Sequence, residues 1–192
     1  SDVASLLDTI KSRAPTLYTE ALPQSDVRDY LLAHSPRARE MAASDPEKLT
    51  SVLLSAEGSI GRAMFLCEDA ERYNAEKDLV YALLDALTAP AAAGLGLLCD
   101  ALPTASDALC ELLDMLKRAC RDIAVLQKAP GCAPLFFEST ERAEAYTMKM
   151  TVAKAISLID AADRLLADLR LNMDTRLAAA TLIGDMRAIM IN

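Results

Sequence analysis

The stretch TASDALCELLDMLKRACRDIAVLQK, residues 104–128, decides the fold. Leu109, Leu112, Leu116, Cys120 and Ile123 recur at three- and four-residue steps and therefore share one face of a helix. Thr104 and Asp107 have the spacing of a capping box at its start. A stripe of this kind forms the inward face of a helical bundle and by itself implies no chemistry. The segment 139–170 carries a similar stripe in Met148, Val152, Ile156, Ile159, Ala162, Leu166 and Leu169. With 75–88, 91–101 and 173–190, these segments predict five helices. Pro90, Pro103, the loop from Pro130-Gly131 to Pro134, and Asn172 separate them.

Upstream the predicted helices are short. One runs from about Ser25 to Ala33 and another from Pro36 to Ala43. A third starts at Asp45-Pro46, where Asp is the N-cap and Pro the first helical residue. Gly58 ends it, and a fourth runs from Ser59 to about Tyr73. The change in helix length places a boundary near residue 74. Residues 16–21 (Thr-Leu-Tyr-Thr-Glu-Ala), between Pro15 and Pro23, alternate and carry β-prone types, so they are the one strand candidate. The expected class is all-α, mainly, with at most one short strand near the N-terminus.

Composition agrees: Ala and Leu dominate, and six glycines and eight prolines are few for 192 residues. A net charge of −8 argues against a broad nucleic-acid surface, which needs clustered Lys and Arg to replace phosphate counterions. The richest apolar run, Ala89 to Leu102, is short and holds Asp100, so no membrane partner is expected. Five cysteines (Cys67, Cys99, Cys110, Cys120, Cys132) form no CxxC pair, three of them lie in apolar surroundings on predicted helices, and they read as reduced core fillers of a cytoplasmic protein. The single histidine, His34, has no ligand set around it and reads as a surface helix residue, so no metal and no cofactor is expected. No glycine-rich phosphate-cradling loop and no carboxylate couple stands out.

Three patches resemble one family. Thr9-Ile10-Lys11-Ser12-Arg13-Ala14, followed by Leu17, Leu22 and Pro23, resembles the stretch that closes the ATPase core of bacterial clamp-loader subunits of the AAA+ superfamily; Ala14 stands where the family has cysteine. Leu54-Ser55-Ala56-Glu57-Gly58-Ser59-Ile60-Gly61-Arg62-Ala63 is similar to the lid-domain run of the delta-prime type. Ala155-Ile156 through Leu171-Asn172-Met173-Asp174-Thr175-Arg176-Leu177-Ala178 is similar to the finish of the family's collar domain, with Asp174 where a second Asn is usual.

The resemblance implies a remnant of the AAA+ core over 1–21, a small helical lid over 22–73 and a collar (oligomerisation) bundle over 74–192. It implies that Arg13 acts in trans as an arginine finger in the ATP site of a neighbouring subunit of the assembled DNA polymerase III clamp loader. Gly61 occupies the place of the arginine with which gamma/tau subunits sense their own nucleotide, which favours the delta-prime type. Arg62 follows it and remains a candidate nucleotide-sensing residue; on the plain reading, Gly58-Ser59 only ends one helix and starts the next. The implied partners are gamma/tau and delta subunits through the collar, with sliding clamp and primed DNA reached only through the assembled complex. The chain itself is expected to be non-catalytic and to read as a piece of something larger. A gamma/tau-type ATPase subunit and an unrelated helical adaptor stay open as alternatives.

Overall fold

The computed structural model describes residues 13, 20–90 and 94–191. The protein is all-α, and among the described residues there is no strand. Residues 16–19 of the strand candidate lie outside the described residues, and Glu20 and Ala21 have no regular structure. The chain divides into two compact units, 1–68 and 69–192.

The first unit holds α1 (Gln24–His34), α2 (Pro36–Ser44), α3 (Pro46–Ala56) and α4 (Ile60–Glu68). Short polar residues start the middle two. The Ser35 hydroxyl accepts from Ala38 N–H at 3.2 Å, and Asp45 accepts from Lys48 N–H at 3.0 Å, each followed by proline at the first helical position. Glu57 and Gly58 end α3 in the left-handed region, at φ 50° and 79°. Val27, Leu31, Ala38, Leu49, Leu53, Ala63 and Leu66 form the core of this unit.

The second unit holds α5 (Ala70–Thr88), a 3-10 helix (Leu95–Ala101), α6 (Ser106–Leu126), α7 (Thr140–Thr147), α8 (Val152–Arg170) and α9 (Thr175–Ile191). Helix α6 lies at its centre, packed against α5, α7 and α8. Leu109, Leu112, Leu116, Cys120 and Ile123, the stripe read from sequence, are all 1% exposed or less, and Leu113, Met115, Ala119 and Leu126 widen that stripe. The face turned inward is therefore broader than the sequence reading.

Four expectations need correction. The helix expected over 59–73 stops at Glu68, because Asp69 leaves helical geometry (φ −121°, ψ 51°) and its carboxylate accepts from Arg72 N–H at 3.4 Å, starting α5. The expected junction at 73/74 thus falls inside a continuous helix. The helix expected over 139–170 is broken between Thr147 and Val152, where Thr151 caps α8 by accepting from Lys154 N–H at 3.3 Å. Its inward face is Ala155, Leu158, Ala162, Leu165, Leu166 and Leu169, whereas Met148 is 88% and Ile156 49% exposed. The Thr104–Asp107 capping box does not form: α6 starts at Ser106 after an uncapped Ala105, and the Thr104 carbonyl accepts from the Thr175 hydroxyl at 2.8 Å. Within 91–101, Leu95–Ala101 is a 3-10 helix rather than an α-helix.

Candidate functional site

The arginines singled out by sequence belong to the first unit. Arg13 is exposed in a turn. Arg62 sits in the first turn of α4, where its backbone N–H donates to the Ser59 hydroxyl at 3.3 Å. The buried Nε of Arg62 has no hydrogen-bond partner among the described residues. Gly61 beside it leaves open space, since a Cβ built there meets nothing within 4 Å. Arg37, on α2, donates to the Glu68 carbonyl and so ties the end of α4 to the start of α2. His34 is exposed at the end of α1, stacked on Tyr30 with ring centroids 4.0 Å apart. The surface reading of His34 holds.

The densest polar chemistry lies in the second unit, and sequence reasoning did not single it out. Asp122, fully buried on α6, accepts from Leu135 N–H at 2.8 Å and Phe136 N–H at 2.7 Å through Oδ2, and from Arg121 at 2.9 Å through Oδ1. That carboxylate fixes the segment between α6 and α7 and seats Phe136 and Phe137 against Tyr81 and Tyr146, at centroid distances of 5.2–5.9 Å. A polar rim closes the cluster. Tyr81 donates to Glu138 at 3.0 Å and Tyr146 to Asp85 at 2.8 Å. Glu138 also pairs with Lys77 at 2.8 Å and Arg142 at 3.0 Å, and the Arg142 guanidinium lies 3.8 Å from the Tyr81 ring centroid.

Electrostatics identify this rim as a clamp. Burial raises both tyrosines, and the adjacent carboxylates raise them further, so at neutral pH both hydroxyls stay protonated and donate. Burial also pushes Glu138 up, but Lys77, Tyr81 and Arg142 outweigh it and hold its carboxyl below the ordinary range. Each rim group satisfies another, and the result ties α5 to α7 and to the segment that precedes it. Helix α8 is tied to α6 in a similar way by Lys117, which reaches Asp163 at 2.5 Å.

All five cysteines are free. Burial raises Cys67 and Cys110 and pushes Cys120 up to about 12, so these three stay thiols at neutral pH, the wrong form for a nucleophile or a metal ligand. Cys132, by contrast, is exposed and no core filler. A thiol probe applied to the folded chain is expected to label Cys132 fast and Cys67 and Cys120 roughly a hundredfold or more slowly, because these two require opening of the core. After denaturation without reductant all five should react; recovery of fewer would mean an oxidised pair. Among the described residues no group of three His, Cys, Asp or Glu is placed to hold a metal, and no helix is long and apolar enough to cross a membrane.

A cleft of about 300 Å³ opens between the 3-10 helix and the start of α9, where Cys99, Asp100, Thr104, Thr175 and Arg176 contribute to its lining. Its helix end is already occupied, since Asp174 accepts from both Arg176 N–H and Leu177 N–H at 3.0 Å. No family model, curated protein or solved structure matches the chain.

Proposed function

We propose that the chain is the C-terminal part of a delta-prime-like subunit of the bacterial clamp loader and works as an assembly module. The observation that carries this reading is the order and spacing of the three sequence patches around Arg13, Gly61-Arg62 and Asn172-Asp174. Two helical units, a small one of four described helices followed by a larger bundle, are compatible with a lid and a collar. The acidity of the chain suits contacts between proteins better than contacts with DNA. In this reading the larger unit joins gamma/tau and delta subunits, while sliding clamp and primed DNA are met by the complex as a whole. Arg13, exposed in its turn, is the residue available to reach a neighbour's nucleotide.

The test is reconstitution. The full-length protein carrying Arg13→Ala should enter the five-subunit complex as the parent does, while clamp- and DNA-stimulated ATP turnover falls by about tenfold or more. Arg13→Lys should not restore it, because an ammonium lacks the planar fork that meets two phosphate oxygens. Unchanged turnover in an assembled mutant complex would remove the finger role. Failure of the unmutated protein to join gamma/tau and delta would remove the clamp-loader reading itself. The isolated 192-residue chain should bind no ATP at micromolar concentration by calorimetry.

A further inference from the structure

Helix α9, TRLAAATLIGDMRAIMI, carries only three charged residues in its 17 positions. Ala178, Ala179, Leu182, Ile183 and Met186 face the core of the second unit. The opposite face is apolar as well. Leu177 is 57% and Ile191 63% exposed, and Ala180, Gly184 and Ala188 lie exposed between them at the spacing of a single helix face. An apolar strip of this length between charged flanks, opposite a face already packed inward, is the kind of surface a second helix covers. A cleft of about 410 Å³ between α8 and α9, lined in part by Ala153, Ser157, Ala188 and Ile189, adjoins this face.

Gly184 is the second observation. In a helix interior glycine costs about 1 kcal/mol relative to alanine. Nothing among the described residues requires it, because a Cβ built on Gly184 meets none of their atoms within 4 Å. Its backbone is therefore bare on the outer side, and Ala180, Gly184 and Ala188 repeat the four-residue spacing that lets a second helix approach closely.

We propose that the outer face of α9 packs against the same face of a second copy of this chain, with the two helices parallel. Charge complementarity selects this occupant and this direction. Asp185 follows Gly184 by one residue and Arg187 precedes Ala188 by one, so they flank the stripe on opposite sides. About a twofold axis parallel to the helices, the Arg187 flank of one copy meets the Asp185 flank of the other, and the pairing occurs twice. An antiparallel pairing would instead bring like flanks together, Arg176 and Arg187 of both copies along one edge and the two Asp185 residues along the other. Arg187 has no ion-pair partner among the described residues, and Asp185 has only the exposed Arg164 at 3.8 Å, a pair worth little. The contact stands on α9 and is independent of the clamp-loader reading.

Sedimentation of the 192-residue chain over a range of concentrations should show a species of twice the single-chain mass that grows with concentration. Gly184→Arg should abolish it while the thermal midpoint by circular dichroism, measured at a concentration where the parent is monomeric, stays the same or rises, since the new side chain enters open space and improves helix propensity. Arg187→Asp sets carboxylates against each other across the pair and should weaken dimerisation by about tenfold. The double variant Asp185→Arg with Arg187→Asp should recover most of that loss, which an antiparallel arrangement cannot do. A chain that stays monomeric at every concentration would overturn the proposal and leave the face to a protein of other sequence. An undiminished dimer in Gly184→Arg would place the contact elsewhere, and failure of the charge exchange to rescue would overturn the parallel pairing.

Discussion

Gly58→Ala is expected to destabilise the first unit by about 2–5 kcal/mol, counting a left-handed backbone that alanine resists, a displaced segment and a lost hydrogen bond. Gly58 has φ +79°, and a Cβ there would stand 2.6 Å from the Leu22 carbonyl oxygen and 2.8 Å from Leu22 N and from the Ala21 Cβ. Two of these three are backbone atoms, which cannot swing aside as a flexible side-chain end does. The approach is close because Leu22 N–H donates to the Gly58 carbonyl at 3.1 Å, which fastens the chain entering α1 to the turn between α3 and α4. Separating the two backbones would break that bond and loosen the segment preceding Gln24. Gly61, three residues on, is the control. It lies in α4 with open space at its Cβ, so Gly61→Ala should stabilise by about 0.5–1 kcal/mol. Hydrogen exchange read peptide by peptide would follow both, since faster exchange in Gly58→Ala should appear in α3 and α4 first. Equal exchange there in Gly58→Ala and the parent would refute the steric account.

What was legible in the sequence was local. Asp45-Pro46 starts α3 and Gly58 helps end it because cap chemistry and φ > 0 are properties of one or two residues. The stripe of α6 was legible because both its faces are extreme, with Leu and Ile set against Asp, Glu, Lys and Arg. The stripe of α8 departs from the sequence pattern for a physical reason. Met148, Val152, Ile156 and Ile159 keep apolar spacing across a point where the backbone leaves the helix, and spacing alone does not register a break. The face that packs inward begins with Ala155, whose small side chain gives a weak apolar signal. Asp69 gives no sequence signal of a break, because an aspartate inside an apparently helical run looks like part of the solvated face, although Asp is a strong N-cap. Arg13 and Arg62 became candidates only through resemblance; nothing in their own surroundings distinguishes Arg13 from other exposed arginines. Asp122 left no local signal, since its principal partners are backbone groups 13 and 14 residues away.

Asp122→Ala is expected to cost the second unit about 2–5 kcal/mol, chiefly because two backbone donors lose their acceptor; Arg121, 40% exposed, can turn to water. The carboxylate is fully buried and accepts from two backbone N–H groups, the part-buried one of Leu135 and the buried one of Phe136. Each donor stranded in the interior carries a penalty of about 1–3 kcal/mol, which is larger than the net gain from making the bond. Phe136 is 3% exposed and Phe137 4%, so the freed segment would pull both rings from their contacts with Tyr81 and Tyr146. Asp122→Asn separates the roles of the carboxylate. Its amide oxygen can still accept from both N–H groups, while its NH₂ is left facing the Arg121 guanidinium, donor against donor. The expected loss is therefore smaller, about 1–2 kcal/mol. With no tryptophan in the chain, the near-ultraviolet circular dichroism comes mainly from its five tyrosines, and the part lost in Tyr81→Phe and Tyr146→Phe identifies the signal of the cluster. That signal should collapse in Asp122→Ala at urea concentrations where the parent retains it, and should shift only partway in Asp122→Asn. If alanine and asparagine shift the midpoint equally and by less than about 1 kcal/mol, the two backbone donors have found water or another acceptor. In that case Asp122 would not be what holds the segment between α6 and α7 in place.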